Sequence, residues 1–188
     1  MKALSVKPLS ATRILQGVKS TDCRTWKTDY RGPLLICAST SPWPAGTIHR
    51  HAVCCVDLVD VRPFAPEDLE AALMDEMPKK ISYAWVYGSW RFVRPFEQKG
   101  RLHLFEVNDD LIRPIADDEM HVAFAEEHYR PLVRRWDSKV SEHETEMEWY
   151  EWMGRLALLD EKRAIGRTTA GLPLVQTAVS EQAPASVW

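Results

Sequence analysis

The sequence predicts an α+β protein: a small, mostly β domain over residues 1–110 that curls into a barrel, a helical extension over 111–165 and a tail over 166–188. Three observations carry this expectation. Short apolar stretches, several of them alternating, recur through the first 110 residues between Gly- and Pro-containing turns. The composition turns helical from Ala116. The final stretch, "RTTAGLPLVQTAVSEQAPASVW", is small, polar and proline-containing, the composition of a mobile tail.

Taken in order, "ALSVK" alternates as a first strand, and "SATRILQG" reads as a short helix with Ser10 at its N-cap and Gly17 just past its end. "TDCRTWK" alternates again. After the turn at Arg31-Gly32-Pro33, "LLICA" has the pattern of a strand buried on both faces. "HAVCCVDLVDV" is a long strand stopped by Pro63, and Pro66, Glu67 and Asp68 open a second helix, "PEDLEAALMDEM". "SYAWVYG", "WRFVRPF" and "LHLFEV" supply three further strands. Beyond Ala116, Pro131 divides two helices, and Met147, Tyr150, Met153 and Leu156, or Trp149, Trp152 and Leu156, form an apolar stripe at helical spacing. Such a stripe packs on the chain's own barrel or on another subunit. Strands this short and numerous close most easily into a barrel, which removes exposed edges.

At 188 residues and 45% hydrophobic, the chain can bury a real core, and its length suits one domain plus an extension. No apolar run approaches the roughly 18 residues of a membrane span. The start lacks the h-region of a secretory signal, so a cytoplasmic protein without membrane attachment is expected. Cys23, Cys37, Cys54 and Cys55 form no CxxC pair and read as reduced, mostly buried thiols, with Cys54 and Cys55 on opposite faces of one strand. His121 and His128 lie among Glu119, Glu126 and Glu127 but match no metal motif, so no metal is expected there. No phosphate-cradling glycine loop and no nucleophile elbow occur, and no cofactor is expected.

The net charge of −3 hides a gradient. Residues 1–31 carry seven Lys or Arg against Asp22 and Asp29, whereas residues 116–162 carry thirteen acids against six bases. A basic front can steer a polyanion to one face while an acidic back repels it. The front also holds the most suggestive chemistry. Gly17 ends the helix, which leaves Lys19 in the connection to the next strand, and alternation then puts Asp22, Arg24 and Trp26 on one face. A guanidinium suits phosphate or base edges, an indole offers a stacking surface, and an ammonium adds a point charge. The competing reading is that Asp22 and Arg24 pair with neighbours while Trp26 caps the core. Lys7, near the end of the first strand, and Arg31, in the turn before the buried one, join the candidate ligand-binding set.

The segment "ALSVKPLSATRILQGVKSTDCRTWKTDYRGPLLICAS" resembles the opening of an ASCH domain, whose hallmark is a strand, a helix and then G-x-K-x-x-E-x-R. Gly17, Lys19 and Arg24 match this pattern, and Asp22 stands at the usual glutamate. "VDLVDVRPF" and "GRLHLFEV" are similar to two later strands of the family, so the likeness spans roughly residues 2–108. The resemblance implies a PUA-like barrel of five or six strands with a cleft beside the first helix, and binding of RNA or of a modified nucleoside or nucleotide. It also implies an alternative, because some small members are acetylcytidine amidohydrolases and others have been proposed as ribonucleases. In the amidohydrolases the motif lysine is catalytic, with a threonine at the position of Asp22 and a glutamate much later. Here Lys19 is kept, the threonine is not, and Glu67, Glu97 and Glu106 are the available glutamates. Cys37 stands where many relatives have histidine.

Three readings follow. The chain is an RNA- or nucleotide-binding module using Lys7, Lys19, Asp22, Arg24, Trp26 and Arg31, with Trp90 as a second stacking surface. Alternatively it is a hydrolase with Lys19 essential and Asp22 its partner. In the third reading the barrel is a scaffold, and Trp149, Trp152 and Met153 on the C-terminal helices join subunits or another protein.

Overall fold

The computed structural model describes residues 1–134 and, in the C-terminal segment, Trp149, Glu151, Met153, Gly154, Leu156, Ala157, Asp160 and Glu161. Six strands, β1 (Lys2–Val6), β2 (Thr21–Arg24), β3 (Gly32–Ala38), β4 (His51–Pro63), β5 (Tyr83–Glu97) and β6 (Leu104–Glu106), form one curled sheet in the order β2-β5-β4-β3-β1-β6. β1 runs parallel to β3, and the other ladders are antiparallel. Among residues 1–134, the helices α1 (Pro8–Leu15), α2 (Leu69–Ala72) and α3 (His121–His128) accompany it. The sheet is a half-barrel. β2 and β6 are its two ends and do not pair with each other, so the full closure expected from strand number is not reached.

The strand pattern explains the layering. Leu34, Ile36 and Ala38 enter the main core on one face of β3, while Leu35 and Cys37 enter a second cluster on the other. All five are fully buried. Cys54 and Cys55 divide between the same two clusters, as strand alternation requires. The four cysteines are free. Burial pushes the Cys37 thiol up to about 12 and Cys55 to about 11, so these are packing groups rather than nucleophiles.

Several boundaries differ from the sequence pattern. α1 begins at Pro8, with Lys7 at the N-cap, because proline suits the first turn, where its missing N–H costs nothing; Ser10 therefore lies inside the helix. The second helix is cut short after a 3-10 turn at Pro66–Asp68: Leu73 adopts a left-handed conformation (φ 53°) and ends α2 at Ala72. "SYAWVYG" and "WRFVRPF" are one continuous strand, because Gly88 is accommodated within β5 beside register shifts in β4.

The C-terminal residues pack inward. Trp149, Met153 and Leu156 join the same core as Leu4, Ile36, Val53 and Phe92. Trp149 and Met153 are only 3% and 5% exposed, which removes them as anchors for an external partner. Trp152, Met147, Tyr150 and the tail over 166–188 lie outside the described residues. Among the described residues, no helix is long and apolar enough to cross a membrane.

One turn positions everything that follows. At the end of α1 the Gly17 N–H bonds to the Ile14 carbonyl at 2.9 Å and the Val18 N–H to the Arg13 carbonyl at 3.0 Å, the paired bonds of a Schellman cap. The Lys19 N–H also reaches the Arg13 carbonyl, at 3.1 Å. Gly17 has φ +69°, and a Cβ there would lie 2.5 Å from Trp90 Nε1. Glycine is thus required twice, for the left-handed turn and for the indole lying against it. Gly17→Ala is expected to cost about 1–2 kcal/mol from backbone conformation alone, with the indole contact adding to it; urea unfolding measures this, and unchanged stability would overturn the account.

Candidate functional site

The cleft opens at the seam where the sheet fails to close. Its volume is about 840 Å³. One wall is β2 with the Lys19 connection; opposite stand the end of β1 and the loop that leads into β6, while α1, the segment after β3 and the end of α2 complete the lining. Side chains span the missing ladder. Arg24 on β2 donates through Nη2 to the Ser5 carbonyl on β1 at 3.0 Å. Beyond it, the rings of Trp26 and His103 meet edge to face at 5.1 Å.

The floor is a charge triad of buried Lys19 and Asp22 with the half-buried Arg24. Arg24 Nε donates to Asp22 Oδ2 at 2.6 Å, and Lys19 Nζ lies 3.6 Å from Asp22 Oδ1. Lys19 Nζ also donates to the Ala72 carbonyl at 2.6 Å, satisfying an orphan acceptor at the end of α2. The Ser20 N–H does the same for the Ala71 carbonyl at 3.1 Å. Lys19 and Asp22 are 7% and 8% exposed, so the pairing exists in a largely dehydrated setting. Burial pushes the Lys19 amine below its ordinary value, and the Asp22 carboxylate opposes that shift. Tyr87 lies close by in the core, with a buried hydroxyl that finds no hydrogen-bond partner among the described residues; burial first, and then the Asp22 charge, push its pKa well above the ordinary value.

Of the residues singled out from sequence, the structure brings Lys7, Lys19, Asp22, Arg24 and Trp26 to this one cleft. Arg31 does not belong to it. Its guanidinium donates to the carbonyls of Thr28, Tyr30 and Val61 and pairs with Asp60, holding the β2–β3 turn against β4. Trp90 is also elsewhere, packed on Gly17, Phe92 and His121. None of Glu67, Glu97 and Glu106 lines the cleft; Glu97 pairs with Arg50, and Glu106 with Lys2. Cys37 is sealed in the second core cluster.

The sequence reading missed a whole wall. Lys99, Gly100, Arg101, Leu102 and His103 line the cleft from the loop between β5 and β6, far from the N-terminal motif in sequence. The only local signal was the cationic "QKGR" turn. With it, the described residues of the lining carry five cations, Lys7, Lys19, Arg24, Lys99 and Arg101, against one carboxylate, Asp22.

Elsewhere, Glu119, Glu127 and His128 bring one donor atom each within 4.8 Å of one another, on an acidic face where Glu127 is 70% exposed. His121 is instead engaged by Asp160, whose carboxylate also accepts the backbone N–H groups of His121 and Val122 at 2.8 Å each. Asp160 thereby caps the N-terminus of α3.

The family model of the ASCH domain matches residues 4–169, and the chain belongs to that family. The match runs well into the C-terminal segment. Among solved structures, the chain is similar to the ASCH protein of Zymomonas mobilis, at 14% identity and a TM-score of 0.46, covering 58% of this chain and 88% of that one. It is also similar to a serine-to-alanine variant of that protein, at 13% identity and a TM-score of 0.44, covering 58% and 89%. No curated protein sequence matches it.

Replacing Asp22 by Asn removes the charge that supports the Lys19 ammonium, so the lysine is expected to titrate at lower pH than in the parent; side-chain NMR of the Lys19 amine reads this directly. The sign for stability follows from the same shift. A lysine whose pKa is depressed by folding penalises the native state below that pKa, and the penalty is relieved as pH rises toward the unfolded value of 10.5. A Lys19 titration unmoved by Asp22→Asn would show that the two groups are not coupled.

Proposed function

We propose that this ASCH domain binds single-stranded RNA or an RNA-derived nucleotide in the cleft at the barrel seam. The observation that carries the reading is the lining itself: among the described residues, five cations, a single carboxylate and part of the Trp26 indole share one open hollow. Cations in a groove track a phosphate backbone, and an aromatic face takes up an unstacked base. Trp26 is suited to that task because its orientation is fixed by neighbours, with Trp85 packed edge-on at 4.5 Å and His103 at 5.1 Å. The Trp85 indole N–H donates to the Trp26 carbonyl at 3.1 Å and locks the backbone as well.

A hydrolase acting through Lys19 is the second reading, and the lowered Lys19 pKa favours it, since a buried amine loses its proton more readily. Two features weigh toward binding. Both Asp22 oxygens face cations, which leaves that carboxylate poorly placed to accept a proton from water. No glutamate lines the cleft among the described residues, whereas the amidohydrolase scheme relies on one.

Anisotropy of a labelled single-stranded RNA at 50 and 200 mM salt tests the binding reading. Binding is expected at low salt and should weaken as salt rises. Trp26→Leu should weaken it by about 1–3 kcal/mol, the usual worth of one stacked base, while leaving the salt dependence in place. Absence of binding at either salt overturns the proposal. Incubation with acetylcytidine, followed by chromatography, tests the second reading: product that disappears in Lys19→Ala would assign hydrolysis to this site, and no product from the parent protein would remove it.

A further inference from the structure

The cations of the cleft fall into two groups with different freedom. On the floor, Lys19 and Arg24 are already engaged, by Asp22 and by the carbonyls of Ala72 and Ser5. Around the mouth, Lys7, Lys99 and Arg101 are exposed and make no ion pair with any of the described residues. A ligand anion meets least competition at the mouth.

The mouth is also built to a fixed geometry. Ser5 is its hub. Its carbonyl accepts from Arg24, and its hydroxyl Oγ accepts from the Arg101 backbone N–H at 3.0 Å. Gly100 lies so close that a Cβ there would stand 2.9 Å from Ser5 Oγ and 3.9 Å from the Ser39 Cα. The Gln98 N–H is held by the Arg50 carbonyl at 2.8 Å, and the Arg101 guanidinium rests 5.9 Å from the centre of the Phe105 ring. The β5–β6 loop is therefore docked against the end of β1, two residues before Lys7. Lys99 and Lys7 thus share one cleft lining with Trp26 and His103.

We infer that the Lys99–His103 loop is the phosphate-holding wall of the cleft, with Lys99 and Lys7 as the phosphate contacts, so that the ligand is a phosphorylated nucleotide or strand rather than a free nucleoside. This rests on the nucleotide-binding reading above and narrows it. Unpaired, solvated ammonium groups at a rim gain from a phosphate and gain nothing from a neutral ribose or base. The floor, whose charges already satisfy one another, then serves the uncharged part of the ligand through hydrogen bonding.

The test compares cytidine, cytidine 5′-monophosphate and a mixed-sequence single-stranded RNA pentanucleotide on the full chain, by calorimetry and anisotropy, in the parent protein and in Lys99→Ala and Lys7→Ala. Both substitutions are at exposed positions, and circular dichroism confirms the fold. The expected result is tighter binding of the monophosphate than of cytidine, a preference reduced in each variant, and a pentanucleotide salt slope lowered by about 0.7 for each lost phosphate contact. If cytidine and its monophosphate bind equally, or if Lys99→Ala leaves both the preference and the slope unchanged, the phosphate wall is overturned while RNA binding stands. If none of the three probes binds the parent protein, the nucleotide-binding reading itself fails.

Discussion

The site depends on a single carboxylate shared by two cations across a gap in the sheet. Asp22 sits on β2, an end strand of a six-stranded sheet that stops short of closing. Arg24 bonds to it and then reaches across to the Ser5 carbonyl of β1, and Lys19 approaches from the α1 connection. Removing one partner from such a buried arrangement leaves an uncompensated charge, typically worth 3–5 kcal/mol, so the triad holds the seam at a fixed width as well as furnishing its floor. Where backbone hydrogen bonds would have sealed a barrel, side chains leave a hollow open to solvent.

Lys19 ties together elements that are remote in sequence. Its ammonium satisfies the last carbonyl of α2, a helix ended early by the left-handed Leu73, and the adjacent Ser20 N–H satisfies the carbonyl before it. The cap after α1 delivers Lys19 to that place, because the Schellman turn at Gly17 reverses the chain within two residues. The glycine of the motif is thus a packing and backbone requirement, the lysine a strut between two helices, and the acid and arginine a clasp. The ordinary structural reading of these residues, pairing with neighbours, is the one the contacts show.

The described residues of the C-terminal segment pack on the half-barrel. Trp149, Met153 and Leu156 complete its main core, Trp149 Nε1 donates to Glu126 at 2.5 Å, and Asp160 caps α3 from the far end of the chain. Of the apolar stripe, Trp149, Met153 and Leu156 are spent on the chain's own core. Among the described residues, the acids Glu119 and Glu127 of this segment lie outside the cationic cleft.

What the sequence by itself determined is local. Alternation placed β1 and β2, a continuous apolar run placed β3, the pleat sent Cys54 and Cys55 of the β-rich β4 stretch to opposite faces, the glycine after α1 marked a left-handed turn, and the G-x-K-x-x-D-x-R spacing put Lys19, Asp22 and Arg24 within reach of one another. Each follows from the fixed periods of strand and helix and from the steric freedom of glycine. Only the tertiary structure decided that Arg31 and Trp90 turn away, that the Lys99–His103 loop arrives to form the second wall, and that the sheet stays open along the line where these elements meet. Those outcomes depend on how ends remote in sequence dock across a seam, through contacts such as Arg24 with Ser5 and Gly100 with Ser5, and no short-range pattern encodes such distances.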